Sequence, residues 1–190
     1  SASDYMTTDV QITVPAGSTT SIVTIPTTAD AIAESDETVV LAVESVDSGS
    51  LSDVSDTGTG TITDDDSTPS VQIDDVITPE GNTLSFTVSL SNPSDLAISL
   101  QIGTTNGSAS STDYDTAAFT VTIPAGATSA SAQVATVSDN IDESDETMTL
   151  FVSSVSAGTV SSFSDTGTGT IQDDDGAPSV QIGDISITEG

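Results

Sequence analysis

The sequence predicts an all-β chain of immunoglobulin-like, seven-stranded β-sandwich repeats arranged end to end. Three observations lead there. Short runs alternate apolar and polar residues at period two. No segment carries a convincing 3.6-residue period, and clusters of Gly, Pro, Asn, Asp and Ser separate the runs. The chain also repeats itself at a spacing of 109 residues.

The alternation is clearest in Leu84, Phe86, Val88 and Leu90; in Ile98, Leu100 and Ile102; in Phe119, Val121 and Ile123; and in Met148, Leu150 and Val152. Such runs bury one face and wet the other. Seven strands are expected near 71–76, 84–90, 98–104, 119–123, 132–137, 147–152 and 167–172. Seven short strands in about 105 residues suit a two-sheet sandwich. Asn92-Pro93-Ser94 and Pro124-Ala125-Gly126 carry turn chemistry.

The repeat sets the domain organisation. Residues 1–81 lie on residues 110–190 without a gap, with 42 of 81 positions identical, which chance does not produce. Residues 70–175 form one complete unit. Residues 1–66 match the later part of a first unit, and residues 178–190 match the first strand of a third. Pro69 and Pro178 follow the acidic triplets Asp64–Asp66 and Asp173–Asp175, so the linkers are short and neighbouring units are expected to touch. The first unit lacks the equivalents of Ser70–Ala109, and its sandwich is expected to be completed by preceding residues or by another chain.

Composition removes several function classes. The chain holds 30 Asp and Glu and no Lys, Arg, His or Cys, for a net charge of −30. Without side-chain cations, every carboxylate must be solvated, accept hydrogen bonds or meet an external cation. Catalysis by His, Lys or Cys is absent. Nucleic-acid binding lacks the Lys and Arg that neutralise phosphate. An anionic membrane surface repels the chain, and no apolar run approaches the ~18 residues of a span. Two Tyr, four Phe and no Trp make a paired-carboxylate glycosidase with a sugar cleft a poor fit, so no enzyme is expected.

The acids are unevenly placed. In the complete unit they gather at Glu80, Asp113, Asp139, Glu143, Glu146, Asp173, Asp174 and Asp175, and each recurs at 109 wherever the window allows comparison. Three consecutive Asp at a strand end repel one another unless a cation bridges them. A cage of carboxylate oxygens without N or S donors suits Ca2+ and argues against zinc or copper. Spacing and composition rule out an EF-hand loop and the Gly-rich calcium nonapeptide. Isolated acids such as Asp9, Glu44, Asp47 and Asp95 read as solubilising surface. Asp36 and Asp145 recur, but alternation turns them away from Glu34 and Glu37. Asp56 and Asp165 read as turn residues.

Four strings in order give the complete unit a resemblance to the Calx-β domain: Asn106-Gly107-Ser108-Ala109 running to Thr112-Asp113-Tyr114; Val121-Thr122-Ile123-Pro124-Ala125-Gly126; Asp142-Glu143-Ser144-Asp145-Glu146-Thr147; and Gly169-Thr170-Ile171-Gln172-Asp173-Asp174-Asp175. The resemblance implies the same seven-stranded sandwich, and a calcium ligand set of Glu80, Asp113, Asp139, the Ile141 main-chain carbonyl, Glu143, Glu146, Asp173, Asp174 and Asp175. The first unit correspondingly offers Asp4, Asp30, Ile32, Glu34, Glu37, Asp64, Asp65 and Asp66, and Glu189 is the first ligand of a third unit. Where the family often has another Asp before Asp139, this chain has Ser138, and Ala29 in the first unit. That departure implies one calcium fewer or held more weakly.

An ungapped repeat whose charged side chains are all acidic is expected to be a calcium-stiffened structural segment: a rigid stalk or fibre of an extracellular surface adhesin or matrix protein, contacting neighbouring repeats of its own chain or identical chains. The alternatives are a calcium-dependent module binding a glycan or partner protein, and a subunit of a short-chain filament completed by its neighbours. Proteolysis probes the calcium dependence. Trypsin has no Lys or Arg to cut and is expected to leave the chain intact with or without chelator. A protease cutting at apolar residues is expected to digest it only once calcium is removed. Equal resistance to the second protease in both conditions would argue against calcium-dependent folding.

Overall fold

The computed structural model describes residues 4–6, 9–116 and 118–190, and all regular structure among them is β. Strands β1 (Glu37–Ala42) and β2 (Thr57–Ile62) belong to the first unit. The complete unit contributes β3 (Val71–Ile73), β4 (Val76–Pro79), β5 (Thr83–Leu90), β6 (Ile98–Asn106), β7 (Phe119–Ile123), β8 (Ser129–Ala135), β9 (Glu146–Ala157) and β10 (Thr166–Gln172). A five-stranded sheet runs β4-β10-β9-β6-β7 and a three-stranded sheet runs β3-β5-β8. Their inward faces form one core: Leu84, Phe86, Val88 and Leu90 from β5, Ile98, Leu100 and Ile102 from β6, Met148, Leu150 and Val152 from β9. Alternation in sequence has become two faces of a sandwich.

The single first strand expected near 71–76 is two strands in two sheets. Val71–Ile73 pairs antiparallel with β5, and Val76–Pro79 pairs parallel with β10. Asp74 and Asp75 make the crossing. Asp74 Oδ1 accepts from Thr87 N on one sheet, and Asp75 Oδ1 accepts from Thr168 N at 2.6 Å on the other. The strand expected at 132–137 lies at Ser129–Ala135, its end replaced by an isolated bridge between Thr136 and Tyr114. β10 crosses close over the core, where a Cβ on Gly169 would stand 2.8 Å from Leu84 and 2.9 Å from Met148 and Phe86. The Thr-Gly-Thr-Gly pattern of β10 thus reflects sheet-to-sheet distance, not flexibility.

The first unit shows what those strands contribute. Ile12, Val14, Leu41 and Val43 are 41–49% exposed, whereas Val121, Ile123, Leu150 and Val152, each 109 residues on, are 0–6% exposed. Residues 10–14 and 21–25 form no strand, although their repeats are β7 and β8. β7 pairs with β6 and β8 with β5, and the first unit has neither partner here. A strand without a partner has no ladder. The same holds for Val180, Ile182, Ile185 and Ile187, each 84–93% exposed.

Candidate metal centre

The topology gathers the acids of the complete unit at one pole. Parallel pairing sets Pro79 against Gln172, and Glu80 N donates to Gln172 O at 2.9 Å, so Glu80 follows one strand end beside the triplet that follows the other. Antiparallel pairing of β9 with β10 places Glu146 opposite Ile171. Tyr114 is buried, donates to Asn106 Oδ1 at 2.7 Å and bridges Thr136. That anchor holds Asp113 beside the segment after β8, where Val137 N donates to Asp113 O at 2.8 Å. Gly81, at φ +72°, turns the chain back after Glu80 in a conformation that L residues resist.

Two carboxylate triads result, each with ligand atoms within 4.8 Å of one another: Glu80, Asp139 and Asp175; and Asp113, Glu143 and Glu146. Between them lies a recess of about 20 Å³ lined by Glu80, Asp113, Asp139, Glu143, Glu146 and Asp173, among others. That is room for about one water-sized species. Asp173 therefore joins the pole. Asp174 is exposed and belongs to neither triad. Ile141 N donates to Asp139 Oδ1 at 2.8 Å, and the Ile141 side chain points to solvent. In the first unit Asp4, Asp30 and Glu34 form a third triad, and Glu34 N donates to Asp64 Oδ2 at 3.1 Å. Glu37, Asp65 and Asp66 stand outside that triad, and Glu189 lies in the exposed tail.

The electrostatics are those of crowded like charges. Glu143 and Asp175 are held above the ordinary carboxylate range, first by desolvation and then by neighbouring carboxylates, including Asp139 and Asp173 in both cases. Glu146 is raised by desolvation, by the charge of Asp113 and by a hydrogen bond with it. Asp113 is held low, chiefly by the Ser110 N–H, which donates to its Oδ2 at 2.7 Å. Glu34 and Asp66 repeat the raised pattern in the first unit. Glu80 is buried and its Oε1 accepts from Asp139 N at 3.1 Å. Ser138, standing where a further Asp was expected, offers its hydroxyl to the same oxygen at 3.4 Å.

One atom tests whether a cation fits. Asp175 Oδ2 is fully buried and has no hydrogen-bond partner. A buried carboxylate oxygen left unpaired is costly, and a bound cation removes the cost. The donors are all oxygen, in the numbers a hard divalent ion takes. The residues present fit Ca2+.

Two residues act differently from the sequence reading. Asp36 does reach the pole, its Oδ1 accepting from Asp64 N at 3.1 Å. Residues 34–36 precede β1, so strand alternation does not govern them. Asp165 is more than a turn residue: its Oδ2 accepts from Ile73 N at 2.9 Å and pins β3 across the sandwich. Asp56, its repeat in the first unit, accepts locally from Thr57 N at 3.0 Å, as a turn residue does. Sequence also missed a shallow apolar groove of about 660 Å³ lined by Phe151, Val152, Phe163 and flanking Ser, Thr and Asp. Gly103 makes it possible, since a Cβ there would meet the Phe151 ring at 2.8 Å.

Among the described residues, no helix is long and apolar enough to cross a membrane. No curated protein matches the chain. A solved structure described as the apo form of the Calx CBD1 domain matches at TM-score 0.50 and 19% identity, over 57% of this chain and all of that one. Another, CBD12 from CALX1.2, matches at TM-score 0.48 and 20% identity, over 55% of this chain and 45% of that one. The first of these likenesses concerns the fold alone. The Calx-beta domain family matches residues 1–66 and 64–175, nearly the whole chain. Calx-beta domains are calcium-binding modules and not enzymes. This chain belongs to the Calx-beta domain family.

Proposed function

We propose that the chain is a calcium-binding structural segment of an extracellular surface adhesin or matrix fibre, whose repeats form a rigid rod when calcium is bound. The observation carrying this reading is the buried, unpartnered Asp175 Oδ2 in one of two neighbouring carboxylate triads that no side-chain cation can neutralise. Bound calcium supplies positive charge and a shared coordination centre. The residues do the rest. Glu80 ties the start of the unit to the pole, Asp139, Glu143 and Glu146 bring the segment between β8 and β9, and Asp173 and Asp175 bring the exit toward Pro178. Drawing these three segments together fixes the direction in which the chain leaves the unit.

Small-angle scattering tests this. The chain is expected to give a single extended shape in millimolar calcium and a broad distribution of shapes in chelator. Identical scattering in the two conditions would overturn the stiffening role. The groove at Phe151 and Phe163 favours a second reading, a module binding a glycan or a partner protein. The corresponding residues of the first unit are Ala42 and Val54, so such binding would belong to the complete unit and not to the array.

A further inference from the structure

The two units carry the same turn in different surroundings. Ile32 N donates to Asp30 Oδ1 at 2.9 Å, and Ile141 N donates to Asp139 Oδ1 at 2.8 Å, so the segment is shaped alike 109 residues apart. In the first unit the residues after this turn are covered by the complete unit. Ala33 N donates to Pro93 O at 3.0 Å, and Asp95 N donates to Ala33 O at 3.1 Å, a parallel bridge of Ala33 with Ser94. The receiving β5–β6 loop is firmly held. Ser94 is buried, Gly126 N donates to Ser94 O at 2.8 Å, and Asn92 Nδ2 donates to Ser67 O of the linker at 2.7 Å. Ile32, Ala33 and Glu34 are half-buried. Their repeats Ile141, Asp142 and Glu143 are exposed, Ile141 at 59%.

We infer that Ile32–Glu34, and its repeat Ile141–Glu143, are docking edges for the β5–β6 loop of the next repeat, and that filling the acid pole tightens this contact through one shared peptide group. The coupling rests on the calcium reading above. The Ala33 carbonyl that accepts from Asp95 N and the Glu34 N–H that donates to Asp64 Oδ2 belong to the same planar peptide. Holding Asp64 and Glu34 in a filled pole fixes that peptide plane, and with it the carbonyl that Asp95 meets. The partner of the exposed edge at Asp142 is fixed by the docked copy: a Ser-Asn-Pro-Ser-Asp loop presenting one carbonyl and one N–H two residues apart.

Amide hydrogen exchange on the full chain, read residue by residue, tests this beside a calcium titration. Calcium is expected to slow exchange at Ala33 and Asp95 by about 5- to 150-fold, the usual range of coupling between sites. Asp95→Pro deletes the donor to Ala33 O, whereas Asp95→Ala keeps it. Coupling is reciprocal, so Asp95→Pro is expected to weaken calcium several-fold at the pole of Asp4, Asp30 and Glu34, with the pole of Glu80 and Asp175 unchanged. Asp95→Ala is expected to change neither. Calcium binding with unchanged exchange at Ala33 would overturn this inference and leave the calcium reading standing. Absence of calcium binding would overturn both. Weakening of both poles by Asp95→Pro would mean general disruption and would overturn the specific path.

Discussion

Calcium at a hundredfold excess over its dissociation constant is expected to raise the melting temperature of the complete unit by about 10–20 °C. Metal that binds only the folded state adds about 2.7 kcal/mol at that excess. For a domain near 100 residues, each kcal/mol moves the midpoint by roughly 4–8 °C. The shift is large because a domain's whole stability is only about 5–15 kcal/mol. Asp175→Asn and Glu80→Gln are each expected to remove most of the rise. Asp175 supplies the buried orphan oxygen, and Glu80 joins the first strand end to the last. Asp47→Asn and Asp95→Asn, both at exposed positions, are expected to leave the rise intact. Melting curves in chelator and in millimolar calcium check all five proteins. An unchanged midpoint in the parent chain would make the acids a solvated surface.

Acid is expected to act in opposite directions with and without the metal. In calcium-free buffer, lowering the pH from 7 toward about 4, near ordinary carboxylate values, should stabilise the fold. Glu143, Glu146 and Asp175 have raised values, so each binds its proton more tightly folded than unfolded. Their contribution grows as pH falls through the raised values and is complete below the ordinary ones. Asp113 runs the other way. Its contribution is present above the ordinary value and is lost as pH falls through its depressed one, so that loss comes last. With calcium bound, ligands must be ionised, and the same acidification displaces the metal and lowers the midpoint. Melting midpoints across this range in calcium-free and calcium-containing buffer are therefore expected to slope oppositely. Parallel slopes would exclude the raised carboxylates as the metal's ligands.

Much of the sandwich was legible because period-two alternation is written residue by residue, as in Leu84, Phe86, Val88 and Leu90 of β5. The acid pole was legible because a repeat spacing of 109 separates positions that recur from those that do not. What stayed hidden depends on partners distant in the chain. Val71–Val76 reads as one strand, and only the hydrogen bonds of Asp74 to Thr87 and Asp75 to Thr168 reveal the change of sheet. Asp165 looks like a turn residue until Ile73, 92 residues away, donates to it. The groove under Phe151 requires Gly103 on the neighbouring strand, and neither residue announces the other. Residues 10–14 have a strand's pattern without a strand's structure, since a pattern specifies a face and only a neighbour supplies the ladder.

The parallel pairing of β4 with β10 has a mechanical consequence. β4 lies near the entry of the complete unit and β10 near its exit, side by side and pointing the same way. Tension applied along a chain of such units pulls β4 backward and β10 forward along their common axis. The load falls in shear on the whole ladder from Val76–Gly169 to Pro79–Gln172, so its hydrogen bonds must fail together and not one after another. Glu80 and Asp173 stand just past the end of that ladder, so a cation shared across the pole would act as a rivet on the element that bears the force.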